Sequence, residues 1–167
     1  MYITHAQLAE RPGSLELSEV ATPEQERAVD PALMRATLLA ADRSSWPAPE
    51  VAVADAALAR INDAIADAVA LIDGFLGRRG YLPLVTVPGI VSSWCRAITR
   101  YFLHQHRLNA DDKDPITRDY KDALRLLQLT AEGKFSLGLE DSVITKGAGM
   151  PEFTQGSTTF RDALKDY

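Results

Sequence analysis

The feature that most constrains this chain is a run of apolar residues spaced three or four apart between positions 54 and 76. At about 100° per residue, these positions fall within an arc of roughly 80° on a helix. A strand would require a spacing of two, so the pattern predicts one long amphipathic helix over residues 50–76. Its apolar stripe consists of Ala54, Leu58, Ile61, Ile65, Ala68, Ile72 and Leu76. Gly74, Gly77 and Gly80 are predicted to end it.

Two further helices are predicted towards the C-terminus. Residues 89–109 carry an apolar side spread over roughly 140° at the helical repeat. That side comprises Ile90, Val91, Trp94, Cys95, Ile98, Tyr101 and Phe102. Asp114 as N-cap and Pro115 in the first turn predict the start of a third helix, which stops at Gly133.

The N-terminal third is less regular. Thr4 begins a capping box that predicts a short helix over residues 5–10. Prolines recur through residues 12–49, and within that segment only residues 32–41 are predicted to be helical, with Asp30 as N-cap.

Two segments outside the helices are predicted to be extended. Pro83 and Pro88 each push the preceding residue out of the helical region, so residues 81–88 should form an extended loop or a short edge strand. Beyond Gly133 the chain is rich in Gly, Ser and Thr and poor in apolar residues. Residues 134–167 are therefore predicted to be an extended C-terminal arm without a core of its own.

These elements predict an all-α fold, a small bundle of three long helices plus short N-terminal helices. The chain has 167 residues, 46 % of them apolar and 25 % charged, which is the composition of a single globular domain. The helical domain is expected to span residues 1–133, with its firm core at residues 50–132, and the remainder is expected to order on partners. No apolar run approaches the roughly 20 residues of a membrane span, and residues 1–5 lack the pattern of a signal peptide.

Few residues carry catalytic potential. His104 and His106 lie two apart on a helix and so point about 200° from each other, which excludes joint metal binding and indicates surface histidines. The single Cys95 lies on the apolar side of its helix, where a thiol usually acts as a small hydrophobic side chain. Residues 146–149 lack the spacing of a phosphate loop, and the sequence contains no nucleophile elbow or zinc-protease motif. The sequence therefore predicts no enzyme and no cofactor.

The charges are distributed less evenly than the net charge of −5 indicates. A basic stripe on the second long helix consists of Arg96, Arg100, His104 and Arg107. On the first long helix, Asp63 and Asp67 lie opposite the apolar stripe. Both faces could be plain solvated surface; alternatively, the arginines pair with acids of a neighbouring copy or contact the phosphates of passing DNA.

Leu126 and Leu129 fall outside the apolar stripe of the third long helix. They either widen the core face or belong to a surface that packs against a second subunit, because exposed apolar patches mark partner surfaces. The sequence leaves both interpretations open.

Several short segments follow one another in a characteristic order. They are YITHAQL (residues 2–8), IDGFLGRR (72–79), YLPL (81–84), VP (87–88), ITRY (98–101), RDYKDAL (118–124), GKFSLG (133–138) and FRDAL (160–164). This ordered set, which covers most of the chain, resembles the neck proteins of Mu-like tailed phages. Residues 12–49 are longer and richer in Ala and Pro than that pattern.

The resemblance implies a head-to-tail connector, or adaptor, of a phage or prophage. Such subunits form a ring, commonly of twelve copies, that contacts the portal protein above and a stopper or tail-completion protein below. Genomic DNA passes through the lumen and touches it transiently. The implied location is the virion neck, after synthesis in the bacterial host cytoplasm, with no catalytic chemistry and no membrane contact.

Under this interpretation, two sets of contact residues are predicted. Subunit or portal contacts are expected at Tyr81, Leu82, Pro83, Leu84, Leu126, Leu129, Phe135, Phe153, Phe160 and Tyr167. Lumen or inter-subunit charges are expected at Arg78, Arg79, Arg96, Arg100, Arg107, Asp63 and Asp67. The alternative function is a small helical nucleic-acid-binding regulator that uses Arg96, Arg100 and Arg107, against which the acidic composition argues.

Overall fold

The computed structural model describes residues 1–107 and 114–139, and in that part the chain is helical without strands. The predicted all-α fold is therefore confirmed. The helices are α1 (His5–Leu8), α2 (Ser14–Ala21), α3 (Pro31–Leu38), α4 (Ala48–Arg79), α5 (Gly89–His104) and α6 (Pro115–Ala131). A π-helical turn, Ala9–Gly13, joins α1 to α2. No helix in these residues has the length and hydropathy needed to cross a bilayer.

The long helix predicted from the apolar stripe is confirmed as α4. Its 32 residues make it about 48 Å long at 1.5 Å per residue. Gly80, at φ 77°, caps the helix in the left-handed region, and its N–H donates to Gly77 O at 3.1 Å. Gly74 and Gly77 lie within the helix, so the prediction that they end it is wrong. An interior glycine costs only about 1 kcal/mol, which the packing of the buried face outweighs.

Three long helices form the centre of the bundle, as predicted. Each of α4, α5 and α6 contacts the other two. Large buried side chains of these three helices include Ile61, Ile72, Leu76, Val91, Trp94, Ile98 and Leu127. The buried face of α4 is broader than the predicted stripe, because Ala57 and Ala64 are buried as well. Leu58, which was predicted to belong to the stripe, is only half-buried.

The core extends beyond the predicted residues 50–132. Leu17 on α2 and Leu33 and Met34 on α3 are at most 1 % exposed and belong to the same apolar cluster as α4 and α5. Helix α2 was not predicted, since it has only eight residues and lies between two prolines. Helix α3 begins at its predicted N-cap, Asp30, whose carboxylate accepts hydrogen bonds from the backbone N–H groups of Ala32 and Leu33.

The ends of α5 and α6 differ only slightly from the prediction. Helix α5 ends at His104, earlier than the predicted residue 109. Helix α6 has the predicted N-cap, because Asp114 Oδ2 accepts a hydrogen bond from Thr117 N at 2.8 Å. The loop of residues 81–88 is irregular, as expected, and contains no strand.

After α6 the chain turns back onto the bundle. Gly133, at φ 75°, allows the backbone N–H groups of Lys134 and Phe135 to donate to Leu129 O at 2.8 and 3.1 Å. Phe135, Leu137 and Leu139 then pack against the core. The rest of the predicted arm, including Phe153, Phe160 and Tyr167, lies outside the described residues.

Candidate interaction surfaces

The partly buried carboxylate of Glu16 joins α2 to α5. Arg100 donates to Glu16 from Nε to Oε1 at 2.5 Å and from Nη2 to Oε2 at 2.7 Å. His104 Nε2 lies 2.9 Å from the same Oε1. Burial alone would raise the pKa of Glu16, but the hydrogen bonds from Arg100 and His104 outweigh it and hold that pKa below its usual value. This cluster therefore fixes α2 against the C-terminal part of α5.

The basic stripe is consequently not the open surface that the sequence predicted. The side chain of His104 is only 15 % exposed, so its assignment as a surface histidine is wrong, whereas His106 is exposed. Arg100 already uses Nε and Nη2 within its own chain. The physical reason is that α2 covers this face of α5. Arg107 remains exposed.

Beside this cluster, a groove of about 490 Å³ lies between α5, α6 and the α1–α2 turn. It is lined by Arg11, Pro12, Glu16, Ser93, Trp94, Arg96, Ala97, Arg100, Asp119, Asp122, Ala123 and Leu126. Arg96 Nε is buried there and has no hydrogen-bond partner within the described residues. A buried donor left unsatisfied costs about 1–3 kcal/mol. Arg96, which lines the groove, thus carries a buried donor that the described residues leave unpaired.

The leucines that fell outside the stripe of α6 are both half-buried. Leu126 packs against the core and also lines the groove. It therefore serves the core face and is accessible from outside, and the two interpretations of its position are compatible. A contact of Leu126 or Leu129 with a second subunit stays a prediction.

The loop of residues 81–88 divides into a buried and an exposed part. Tyr81 is 6 % exposed and belongs to the core, so little of its ring is left for a partner, and Leu84 is half-buried against the same core. Leu82 and Val87 are each 36 % exposed and Val85 is fully exposed. Neither valine was predicted, because a position between Pro83 and Pro88 does not by itself distinguish an exposed side chain from one that packs on the core, as Leu84 does.

The charges at the C-terminal end of α4 also differ in exposure. Arg78 is exposed, whereas Arg79 is half-buried, with guanidinium atoms 3.1 Å from where a Cβ on Gly133 would stand. Further along α4, Asp63 and Asp67 are exposed on its outer face, which is the position that the sequence predicted. Their pairing with a neighbouring subunit stays a prediction.

A second cleft, of about 560 Å³, lies at the opposite end of α4 between α2, the α2–α3 connection and the start of α3. It is lined by Leu15, Ser18, Glu19, Glu26, Arg27, Ala28, Val29, Asp30, Pro31, Leu33, Pro49, Glu50 and Val53. Leu15 is 60 % exposed although it is a large apolar side chain. Sequence analysis did not single out this cleft, because α2, which forms one of its walls, was not predicted.

Aromatic pairs tie the remaining elements to α5. Tyr101 and Tyr120 stack with ring centroids 3.9 Å apart, which joins α5 to α6. Phe135, predicted as a partner contact, lies with its ring centroid 6.1 Å from that of Trp94 in its own chain.

Cys95 is buried, and burial raises the pKa of its thiol to about 11, so it behaves as a small hydrophobic side chain, as predicted. The described residues contain no group of three or more His, Cys, Asp or Glu placed to hold a metal ion.

Comparison with known proteins relates this chain to one phage family. Residues 2–153 match the family described as "Bacteriophage Mu, Gp36". The chain is 36 % identical over 138 residues to "Mu-like prophage FluMu protein gp36" of Haemophilus influenzae, covering 81 % of this chain and 92 % of that protein. It is 31 % identical over 118 residues to "Gene product J" of Escherichia phage Mu, covering 71 % of this chain and 73 % of the relative. The match includes residues 12–49, the segment that is longer and richer in Ala and Pro than the pattern described above. The chain therefore belongs to the bacteriophage Mu Gp36 family.

Proposed function

We propose that this chain is a structural subunit of a Mu-like phage or prophage particle, a head-to-tail connector that forms a ring in the neck. The observation that carries the proposal is its membership of the Mu Gp36 family over residues 2–153. The proposed partners are further copies of the chain, a portal protein above and a stopper or tail-completion protein below. DNA passes through the lumen, and the proposed role includes no catalytic step.

Two structural features support an assembling role. A fully exposed Val85 between Leu82 and Val87, each about one-third exposed, is an apolar surface that the described residues do not cover. Within the described residues the buried Arg96 Nε has no acceptor, so a partner that supplied one would add a hydrogen bond. Both features are expected of a subunit whose surface is completed by assembly.

The alternative function, a nucleic-acid-binding regulator, is less well supported by the geometry. It requires Arg96, Arg100 and Arg107 to present a row of free charges. Glu16 neutralises Arg100, and Arg96 is partly buried in a groove that also carries Asp119 and Asp122. Among the described residues, this face of α5 therefore carries no continuous cationic surface for phosphates.

The proposed function is tested in particles from an inducible prophage that encodes the chain. Deletion of its coding sequence should give filled heads and separate tails, and expression of the protein in trans should restore joined particles. Electron microscopy counts the three species, and a tagged copy should lie at the junction of head and tail. Joined particles in the deletion strain, or label elsewhere in the particle, would contradict the proposal.

A further inference from the structure

We propose that neighbouring copies of this chain meet head to tail, with the apolar loop of one copy seated in the acidic cleft of the next. The apolar loop is defined by Leu82, Val85 and Val87; the acidic cleft is the 560 Å³ cleft that contains Leu15. This inference rests on the proposed function, since it names the contact that builds the ring.

The first argument is that both surfaces expose apolar groups that residues 1–107 and 114–139 leave uncovered. In the described residues, the large apolar side chains at least 36 % exposed are Met1, Leu15, Leu39, Leu82, Val85 and Val87. Three of them are on the apolar loop, and Leu15 lines the acidic cleft. A volume of 560 Å³ also lies within the range of about 300–1,000 Å³ that is usual for binding pockets. Burying these side chains against each other would remove most of that exposed apolar surface from water.

The second argument is electrostatic complementarity. The cleft is lined by Glu19, Glu26, Asp30 and Glu50 against one base, Arg27. Residues 77–89, which carry the loop, contain two arginines and no acidic residue. Because Arg78 is exposed at the foot of the loop, seating the loop would bring a positive charge to the acidic rim.

The third argument is the separation of the two surfaces within one chain. Pro49, Glu50 and Val53, in the first turns of α4, line the cleft, whereas the loop follows the last turn of the same helix. The loop and the cleft are thus about 45 Å apart along α4 at 1.5 Å per residue, so the loop of one copy cannot reach the cleft of the same copy. A contact between two different surfaces of identical chains is heterologous, and it closes into a ring when the rotation between copies allows.

The inference is tested with two variants that disable one surface each, Leu15→Asp and Val85→Asp. Leu39→Asp is the matched control, because Leu39 is 43 % exposed but lies outside both surfaces. Oligomeric state is measured by native mass spectrometry and sedimentation velocity over a concentration series. Wild type and Leu39→Asp should form oligomers larger than dimers, whereas each of the other variants alone should be monomeric. An equimolar mixture of Leu15→Asp and Val85→Asp should give dimers and nothing larger, since each pair retains one intact loop and one intact cleft.

Assembly of both variants like wild type, or a mixture that remains monomeric while wild type assembles, would overturn the inference.

Should the wild-type chain remain monomeric alone, a mixture of Leu15→Cys and Val85→Cys chains is oxidised at high protein concentration. This mixture should form a covalent dimer at least tenfold faster than a mixture of Leu39→Cys and Val85→Cys chains does. Equal rates of dimer formation in the two mixtures would overturn the inference. If the tagged chain lies in the neck but the two cysteine mixtures cross-link at equal rates, only this contact is refuted. If the loop and cleft cysteines cross-link specifically but the tagged chain is absent from the neck, only the proposed function is refuted.

Discussion

Arg100 and Glu16, which are 84 positions apart in the sequence, form a bidentate ion pair with hydrogen bonds of 2.5 and 2.7 Å. The pair joins α5 of the central bundle to the N-terminal α2, and His104 contacts the same carboxylate. One contact thus decides two properties of the molecule: where α2 lies, and that Arg100 and His104 of the basic stripe are not free for a ligand.

The first prediction concerns the strength of this junction. Glu16→Gln should lower the free energy of unfolding by about 1–3 kcal/mol, because it removes charge-assisted hydrogen bonds to Arg100. Urea denaturation followed by circular dichroism measures the change. Glu19→Gln is the matched control, since Glu19 is exposed on the same helix and should change stability by less than about 0.5 kcal/mol. Equal effects of the two substitutions would contradict the assignment.

The second prediction is the pH dependence of the same junction. The pKa of Glu16 is lower in the folded protein than in the unfolded chain, so its ion pair stabilises the fold above the unfolded pKa. That contribution is lost as the pH falls through the lowered pKa. The stability difference between wild type and Glu16→Gln should therefore be full at pH 7 and shrink steadily below about pH 4.5. A difference that stays constant between pH 7 and pH 3 would show that Glu16 is not ionically coupled to α5.

The third prediction concerns Arg96 in the groove. Arg96→Met removes a buried donor that has no partner within the described residues, so the isolated chain should lose no stability and gain up to about 1 kcal/mol. The same substitution should reduce incorporation into particles, because the donor is then missing when a partner arrives. Arg107→Met, which changes an exposed arginine just after α5, is the control for both measurements. A loss of more than about 1 kcal/mol for Arg96→Met would mean that Arg96 is already paired within the chain.

The fourth prediction uses two glycines of the same helix. Gly80→Ala should destabilise the fold by about 1–2 kcal/mol, because an L side chain is strained at φ 77°. Gly74→Ala should stabilise it by up to about 1 kcal/mol, because Gly74 is an exposed interior helical position with no atom within 4 Å of a new Cβ. Thermal unfolding of both variants gives the two signs. The same sign for both would contradict a helix that ends only at Gly80.

The fifth prediction tests whether the N-terminal segment belongs to the core. Leu17→Ala should cost about 2–5 kcal/mol, because Leu17 is 1 % exposed and packs in the main apolar cluster. Leu15→Ala, two positions earlier on the same helix, should change stability by less than about 0.5 kcal/mol, because Leu15 is 60 % exposed. The midpoints of urea unfolding compare the two variants. A small loss for Leu17→Ala would restore the view that the core begins near residue 50.

Sequence alone determined the parts of this protein that depend on local physics. The three- and four-residue spacing predicted α4, and the short-range geometry of capping predicted the starts of α3 at Asp30 and α6 at Asp114. Two prolines likewise predicted the irregular loop before α5. Each of these signals lies within one or two helical turns of the residues that it governs, which is why a single sequence suffices.

Tertiary structure decided the features that depend on partners distant in the sequence. Helix α2 is too short for its periodicity to be distinctive, and burial of Leu17 in the common core is what stabilises it. Burial of Tyr81, exposure of Val85 and the pairing of Arg100 with Glu16 all follow from where α2 and the long helices come to rest against each other. A spacing rule carries no information about contacts 84 residues apart, so only the packed chain shows which apolar and charged groups are left for assembly.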